Sequence, residues 1–555
     1  MAKQTTAKQN VLLVLFFLFT INLFPQSTSE IDSEAITKIL YQYADDEEPG
    51  MAVGVVKDGK IVYEYYMGYA DLTHQVKVFE GTRFNIASNA KQFTALCVLK
   101  LAQEGKIKLD DDIRKYFPEL YKNIEDKITI SNLITHTSGI RDYCDLMALT
   151  GKTWWKQFID NGDAIELLEG QQTLNFRVGT EYLYSNSNYI LLAELVKKVA
   201  DQDFNDFAIA LFEALDMPST GFFTHYGAII PNRARPYGNW GVWREEPTIT
   251  EVHGDGALFT TLRDQLQWEQ IVQANNGKYL PQELINESQS TLESSIEDGY
   301  GYGLFFDKFN ELDYVFHDGV TAAYNNTFLR FPSKDLSIVV MTNNRNVIAN
   351  NIAWQIAGIA LELSTDNTRY PAGPEKIESL RKLQDVVGSY QNNAGTIIKI
   401  TEKDGFLYRD LYQREPVKLL PEQGGLFEYE TIEGLKMHFS NIGQTKQQLT
   451  IYRATQVPNT FYRLYLSDLT KFDKNELNGR FYNQETDTEI ILKFVEGTTY
   501  SLIKNGRERE AQLIIEDYIR MMSDYKIRIL RDKNGKVVGL NVENNRIKNV
   551  IFERT

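Results

Sequence analysis

The feature that most constrains the fold is an apolar run that begins five residues after Ser88. From Phe93 to Ala102 nearly every side chain is hydrophobic, and Gly105 follows as a helix stop. A helix without a polar face has to be buried, with other elements packed on every side of it. The run therefore predicts a central helix inside a large domain.

Ser88 and Lys91 lie at the start of this helix, three residues apart. Residues at that spacing share a helix face, so the lysine amine can reach the serine hydroxyl. A serine is a poor nucleophile at neutral pH until a neighbouring base draws off its proton. The pair predicts a serine nucleophile activated without a histidine. Taken alone, the pattern also fits a capped helix with a solvated lysine.

The N-terminus has the order of a secretory signal. Lys3 and Lys8 precede an apolar run at residues 11–24, and a polar stretch follows it. We expect residues 1–29 to be a signal peptide, cleaved between Phe24 and Glu30, and the protein to be secreted or periplasmic. The run is shorter than a typical membrane span, so membrane attachment would require that it remain uncleaved.

Charge and residue usage exclude several classes of function. The net charge is −16 and the basic residues are dispersed, which argues against nucleic acid as a partner. The two cysteines, Cys97 and Cys144, exclude a disulfide framework. We predict no metal and no cofactor, because the following histidines lack metal-ligand spacing: His74, His225, His253 and His438.

Residues 30–365 are predicted to form one α+β domain. Residues 51–56 and 60–67 read as a β-hairpin, and four further strands between 300 and 342 are expected to join it in one antiparallel sheet. Helices occupy the middle of the region, and a last helix follows the sheet. Residues 140–180 show no clear periodicity and predict an irregular insertion, in which two tryptophans form either insertion core or substrate wall: Trp154 and Trp155.

The remaining chain predicts two small β domains, and a chain of 555 residues is long enough for three domains in all. From about Gln384 short alternating strands are separated by Asp-Gly and Asn-Gly turns. Similar openings at Val387 and Asn478 indicate two barrel-like domains of the same kind. We place them at residues 366–470 and 471–555.

Three separated motifs resemble one family in their order and spacing: Ser88-Asn-Ala-Lys91, Tyr184-Ser-Asn186 and His317-Asp-Gly319. They are similar to the serine β-lactamase and penicillin-binding-protein superfamily, specifically the class C β-lactamase-like serine hydrolases, which include D,D-carboxypeptidases, D-aminopeptidases and esterases. The resemblance implies a β-lactamase/transpeptidase-like antiparallel sheet with helices. The C-terminal half more loosely resembles the β-barrel domains of D-aminopeptidase-like proteins. Further matching segments are Leu133–Gly139, Gly179–Asn186, Gly254–Leu258 and Val339–Asn343.

The resemblance implies catalytic roles for four residues. Ser88 would be the acylated nucleophile, and Lys91 and Tyr184 the general-base and acid network around it. Tyrosine is a poor base unless cations lower its pKa, and His317, when protonated, would be one such neighbour. The alternatives are a buried aromatic at a helix entrance for Tyr184 and a hydrogen-bonded strand histidine for His317.

The resemblance also implies substrate-binding groups. Asn186 would hold the substrate amide, and the backbone N–H groups of Ser88 and Val320, beside Gly319, would form the oxyanion hole. Asp318 stands where the family commonly has a hydroxyl that meets a substrate carboxylate. An aspartate there would repel an anion and favour a free amino terminus or a neutral amide or ester. Since neighbours on a strand alternate in direction, the alternative is that Asp318 faces away from the site.

Two functions from different classes fit these features. The preferred one is an exported serine hydrolase that forms an acyl-enzyme at Ser88 and acts on a small peptide, amide or ester. The other is a catalytically idle binding protein that holds cell-wall peptides or a protein partner on the same fold. The sequence leaves the substrate and the oligomeric state open.

Overall fold

The structure is a computed structural model that describes residues 31–246, 248–296, 299–309, 311–363, 373–392, 396–410, 415–453, 456–464, 472–515, 517–521 and 525–555. The predicted signal peptide lies outside the described residues. Within those ranges, no helix is both long enough and apolar enough to cross a membrane.

The N-terminal part of the chain, up to residue 363, combines strands and helices. Its strands are β1 Met51–Lys57, β2 Lys60–Met67, β3 Tyr69–Asp71, β4 Val76–Lys77, β5 Phe84–Asn85, β6 Gly221–Phe222, β7 Tyr237–Asn239, β8 Trp243–Glu245, β9 Leu258–Thr260, β10 Tyr300–Gly301, β11 Leu304–Phe309, β12 Leu312–Thr321, β13 Tyr324–Phe331 and β14 Leu336–Thr342. Its helices are α1 Ser33–Leu40, α2 Lys91–Gln103, α3 Ile130–Ile134, α4 Tyr143–Thr150, α5 Asn161–Glu169, α6 Asn186–Ala200, α7 Phe204–Ala214, α8 Leu262–Ala274, α9 Gln282–Ser288 and α10 Ala349–Ala360.

A seven-stranded antiparallel sheet forms the frame of this part, in the order β10-β11-β12-β13-β14-β1-β2. The first strand pairs with the last, with Met51 opposite Thr342, so the two ends of the domain meet inside the sheet, one strand from its β2 edge. Helices α1 and α10 pack on one face of the sheet. Helix α8 packs on the other face, as part of the helical layer there. The predicted α+β fold with an antiparallel sheet is confirmed.

Helix α2 lies at the centre of the helical layer. It contacts α6, α7 and α9, and its side chains from Lys91 to Leu99 are all buried. The predicted central helix is therefore confirmed. Ser88 itself lies in a 3-10 turn, Ala87–Ala90, immediately before the α-helix begins.

The prediction of an irregular insertion at residues 140–180 is wrong, because this segment contains α4 and α5. Each helix has only eight or nine residues, too few for an apolar period to be read from the sequence. Their starts are instead marked by N-caps: the Asp142 carboxylate accepts from the N–H of Cys144, and Asp160 accepts from Asp163.

Two closed eight-stranded antiparallel barrels follow, which confirms the prediction of two small barrel-like β domains. The strands of the first barrel are β15 Gly388–Asn392, β16 Ile397–Lys403, β17 Phe406–Asp410, β18 Val417–Gln423, β19 Leu426–Tyr429, β20 Ile432–Ser440, β21 Gln448–Arg453 and β22 Gln456–Leu464. Those of the second are β23 Gly479–Asn483, β24 Thr488–Glu496, β25 Thr499–Lys504, β26 Arg507–Ile515, β27 Tyr518–Met521, β28 Lys526–Arg531, β29 Val537–Glu543 and β30 Val550–Arg554. Each barrel closes by pairing its first strand with its last.

The second barrel packs on the N-terminal domain. Its buried apolar residues are continuous with the core around α2, whereas the first barrel has a core of its own. Polar groups of the second barrel also meet the carbonyl groups of α4: Lys504 Nζ donates to Ala148 at 2.8 Å, and Asn505 Nδ2 donates to Leu149 at 2.9 Å. These contacts satisfy carbonyls that a helix end leaves without partners, and they fix α4 to the barrel.

Candidate active site

Ser88 is presented by a strained turn between β5 and α2. Ala87, the residue before it, has a φ of 49°, in the left-handed region that residues with a Cβ adopt at a cost. The N–H of Ala87 donates to the buried Asn85 Oδ1 at 2.9 Å, which stabilises the turn. This backbone points the half-buried Ser88 side chain into a cleft.

Lys91 is fully buried and has three hydrogen-bond acceptors around its Nζ. Nζ lies 3.0 Å from Ser88 Oγ, 3.0 Å from Asn186 Oδ1 and 2.5 Å from the carbonyl oxygen of Asp255. The distance to Ser88 is within reach of direct proton transfer. The predicted pair of Ser88 and Lys91, with Asn186 beside it, is thus brought together.

Tyr184 lies on the other side of Lys91, just before α6. Its ring centroid is 5.0 Å from Lys91 Nζ and 5.3 Å from the guanidinium carbon of Arg546. The Tyr184 hydroxyl is buried and makes no hydrogen bond to any residue that the structure describes. Because buried polar atoms are normally paired, a buried hydroxyl without a partner among the described residues, on a ring that lies near two cations, is suited to exchange a proton with a reacting group.

His317 is buried on β12, with its ring 6.0 Å from that of Tyr184. Its Nδ1 is 2.7 Å from the carbonyl oxygen of Asp318 and so carries the hydrogen, while Nε2 accepts from the hydroxyl of Tyr300. Burial, reinforced by the charge of Lys91, lowers the pKa of His317 to about 3. The expectation that a protonated His317 acts as a cation beside Tyr184 is therefore wrong at neutral pH.

The end of β12 runs past the turn that carries Ser88 at close range. A Cβ on Gly319 would lie 2.1 Å from the carbonyl oxygen of Ile86, so only glycine allows this approach. Val320, the next residue, is 64% exposed and lines the cleft together with Ser88. The predicted oxyanion-hole groups, on Ser88 and Val320, thus border the same space.

Asp318 lies on the opposite face of β12 from His317. Its Oδ1 accepts from Thr327 Oγ1 at 2.6 Å and from Asn350 Nδ2 at 2.9 Å, on β13 and α10. The expectation that this carboxylate meets substrate is corrected, because the alternation of side chains along a strand turns it towards α10.

The cleft has a volume of about 330 Å³ and contains groups that sequence reasoning did not assign. Asp255 lies beside Lys91, and burial raises the pKa of its carboxyl. Its only sequence signal is the Gly254–Leu258 segment. Arg546 enters from the second barrel and has no signal in the sequence. Other lining residues are Asp145, Lys152, Phe223 and Phe259, together with Trp154 and Trp155, which the sequence left open as insertion core or substrate wall.

Relatives of known sequence match part of the chain. The chain is similar to Protein flp of Staphylococcus aureus (strain N315), 30% identical over 318 residues, which are 53% of this chain and 59% of that protein. It is also similar to a D-aminopeptidase of Brucella anthropi, 27% identical over 326 residues, which are 57% of this chain and 60% of that protein. The chain thus spans about six-tenths of the length of the curated relatives it matches.

Solved structures share the fold over 59% to 86% of the chain. An octameric penicillin-binding protein homologue from Pyrococcus abyssi aligns with a TM-score of 0.55 at 19% identity, covering 86% of this chain and 98% of that chain. A penicillin-binding protein from Bacillus halodurans aligns with a TM-score of 0.51 at 20% identity, covering 59% of this chain and 99% of that one. At such low identity, these matches show the fold alone.

One family model matches the chain, over residues 37–360 of 555. That stretch holds the Ser88, Lys91, Tyr184 and Asn186 cluster and the whole seven-stranded sheet. The chain belongs to the beta-lactamase family, the family of serine hydrolases that its motifs resemble.

Proposed function

We propose that this protein is an exported serine hydrolase that cleaves a small peptide, amide or ester through an acyl-enzyme at Ser88. The observation that carries the proposal is the contact between Ser88 Oγ and Lys91 Nζ, 3.0 Å apart, in a lysine that is fully buried. Burying a lysine costs free energy, and a helix cap with a solvated lysine does not fit that burial. The arrangement is therefore better explained by proton transfer than by stability.

Acylation begins when Ser88 Oγ attacks the carbonyl carbon of the substrate. The hydroxyl proton passes into the network of Lys91 and Tyr184, and the carbonyl electrons move onto the oxygen. Two backbone N–H groups, of Ser88 and Val320, stabilise this oxyanion. Removing one such donor typically lowers the rate by about 10²–10³.

The leaving group departs as the tetrahedral intermediate collapses. Its bond to the carbonyl carbon breaks, and its nitrogen or oxygen takes a proton from the Tyr184 hydroxyl, which is buried and unpaired among the described residues, on a ring beside Lys91. Water then attacks the acyl-enzyme, gives its proton back through the same network to Ser88, and releases a carboxylic acid. Neutral His317 adds no charge and serves to pack against Tyr184.

Covalent labelling tests this proposal. A fluorophosphonate should add to the peptide that contains Ser88, and Ser88→Ala should abolish both labelling and turnover of a short ester. Ser295→Ala, a change at a serine outside the cleft that bonds the carbonyl of Tyr300, serves as the control and should label fully. Labelling that persists in Ser88→Ala would contradict the proposal. Absence of labelling in the wild type, with a peptide still bound in calorimetry, would favour the idle binding protein.

Export rests on the sequence of residues 1–29 alone. Mass spectrometry of the protein from an expressing cell should find a mature chain that begins between Phe24 and Glu30 in the secreted or periplasmic fraction. An intact N-terminus in the cytoplasm would contradict export and leave the hydrolase proposal unaffected.

A further inference from the structure

We propose that Arg546, carried by the second barrel, binds a carboxylate on the leaving-group side of the cleft, so that the preferred substrates are peptides that release a residue with a free carboxylate. The inference rests on the proposed hydrolase function and names a substrate class for it. Arg546 lies between β29 and β30 and lines the same cleft as Ser88 and Asn186.

The position of Arg546 relative to Tyr184 fixes the side of the cleft that it serves. Its guanidinium carbon is 5.3 Å from the Tyr184 ring centroid. In the proposed mechanism Tyr184 gives its proton to the leaving group, so a guanidinium packed on the Tyr184 ring lies on the leaving-group side of the cleft. When the leaving group is an amino acid, its carboxylate is two bonds from the departing nitrogen. A planar guanidinium binds such a carboxylate through two parallel hydrogen bonds.

Arg546 forms an ion pair with Asp142 that leaves its guanidinium able to bind a ligand. Asp142 Oδ2 is 3.6 Å away, which is an ion-pair distance and longer than a hydrogen bond. Asp142 is fully buried, and its oxygens already accept from the N–H groups of Asn186 and Cys144. The Arg546 side chain, in contrast, is 43% exposed. Asp142 therefore holds the guanidinium in place while its outer edge faces the cleft.

The loop that carries Arg546 is held on both sides by the N-terminal domain. Asn175 Nδ2 donates to the Arg546 carbonyl at 3.0 Å, and the N–H of Lys548 donates to Asn175 Oδ1 at 2.7 Å. The buried Arg141 donates to the carbonyls of Lys548 and Asn549 at 3.0 Å and 2.8 Å. A side chain on such a fixed loop loses little freedom on binding, which favours affinity.

Net charge does not select the substrate, because the cleft holds both signs: Asp145, Lys152, Asp255 and Arg546. Placement does. The backbone carbonyl of Asp255 accepts from Lys91 and the residue is only partly exposed, whereas Arg546 lies over the Tyr184 ring. Asp318, which would have repelled a carboxylate, is turned towards α10.

Matched substrates test the proposal on the full-length protein. The pair consists of one acylated dipeptide with a free C-terminal carboxylate and the same compound as its carboxamide, each as D and L isomers. In the wild type, kcat/KM should favour the carboxylate. Arg546→Gln should lower the carboxylate-to-carboxamide ratio by about tenfold to a hundredfold, mainly through KM, and Arg546→Lys should restore part of it.

A matched control comes from the same loop. Lys548 pairs with Glu181 at 2.7 Å, outside the cleft, so Lys548→Gln removes a nearby charge without touching the site and should leave the ratio unchanged. A ratio that is unchanged in Arg546→Gln, or a wild type that prefers the carboxamide, would overturn the proposal. If Arg546 only neutralised Asp142, both substrates would lose equally.

A second measurement, on the wild type alone, tests the proposal if the Arg546→Gln protein does not fold. Free alanine should inhibit ester hydrolysis by the wild type at a concentration about tenfold lower than alaninamide does, because only alanine offers a carboxylate. Equal inhibition would overturn the proposal. A wild type that neither labels at Ser88 nor hydrolyses esters would instead refute the hydrolase function itself.

Discussion

Arg141, in the N-terminal domain, donates from Nη1 to Glu485 of the second barrel at 2.8 Å. Arg141 is fully buried, and its guanidinium also meets Gln171 and the carbonyls of Lys548 and Asn549. Its chain neighbour Asp142 accepts from the N–H of Asn186. The docking of the barrel and the geometry of the cleft are therefore joined through adjacent residues.

Glu485→Gln should destabilise the protein. The change leaves the buried Arg141 without its carboxylate, and a hydrogen bond to a charged group contributes about 1.5–3 kcal/mol. The free energy of unfolding, measured in urea, should fall by about that amount. Glu489→Gln is the control, because its partner Arg480 is 63% exposed and such pairs contribute about 0–1 kcal/mol. Equal losses in the two variants would contradict the role given to Arg141.

Lys91→Ala and Tyr184→Phe should each slow the labelling of Ser88. General acid-base groups contribute about 10²–10⁴ in rate, so each loss should lie in that range. Because both residues belong to one proton network, the double variant should be much less impaired than the product of the single losses predicts. Lys100→Ala, at the far end of α2 where the lysine pairs with Glu104, should label normally. Independent, multiplicative losses would show two separate functions.

Local patterns in the sequence were enough for most of the fold. The all-apolar run after Ser88 predicted the buried α2, and alternation with turn residues predicted the sheet and both barrels. Helices α4 and α5 were not found, because two turns are too short to show a period and only their aspartate caps mark them. The docking of the second barrel depends on contacts between distant parts of the chain, such as Arg141 with Glu485, which no local pattern records.

In the candidate site, too, the residues with a local sequence pattern were predicted and those that depend on distant contacts were not. Ser88, Lys91 and Asn186 were found because spacing along a helix and a family motif place them. The expectation that His317 is protonated was wrong, because neighbouring elements bury its ring and so lower its pKa. Arg546 could not be found, because nothing in its own loop distinguishes it from other surface arginines before the barrel is docked.

His317 should make the protein sensitive to acid. Its pKa is about 3 in the folded protein and near 6.5 when exposed, so between these values the unfolded chain binds a proton that the folded chain does not. The contribution of neutral His317 to the free energy of unfolding is complete above pH 6.5. It falls as the pH drops towards 3, by about 1.4 kcal/mol per pH unit. Burial lowers the pKa of His136 as well, which adds in the same direction.

Urea unfolding at several pH values measures this effect. His317→Gln should flatten the dependence between pH 6 and pH 4 by about one proton's slope. An unchanged slope in His317→Gln would mean that this histidine is protonated in the folded protein.

Asp318→Thr should not change substrate preference. Its carboxylate bonds to Thr327 and Asn350 on the face away from the cleft, so the relative kcat/KM of carboxylate-bearing and amine-bearing substrates should stay as in the wild type. The loss of these two bonds should lower stability by about 1–2 kcal/mol. A rise in the preference for carboxylates would show that Asp318 acts on the substrate.

Gly319→Ala should inactivate the enzyme at a modest cost in stability. The new Cβ would lie 2.1 Å from the carbonyl oxygen of Ile86, and relieving that contact has to move either β12 or the turn that carries Ser88. Either movement separates the N–H groups of Ser88 and Val320, and misplacing one oxyanion donor costs about 10²–10³ in rate. Gly358→Ala is the control, because a Cβ there, on α10, meets nothing within 4 Å, and in a helix alanine is more stable than glycine. Ester turnover and the urea midpoint, measured on both variants, check the prediction. If Gly319→Ala kept wild-type turnover, β12 would not shape the oxyanion hole, and that part of the proposed mechanism would fail while the pairing of Ser88 with Lys91 would stand.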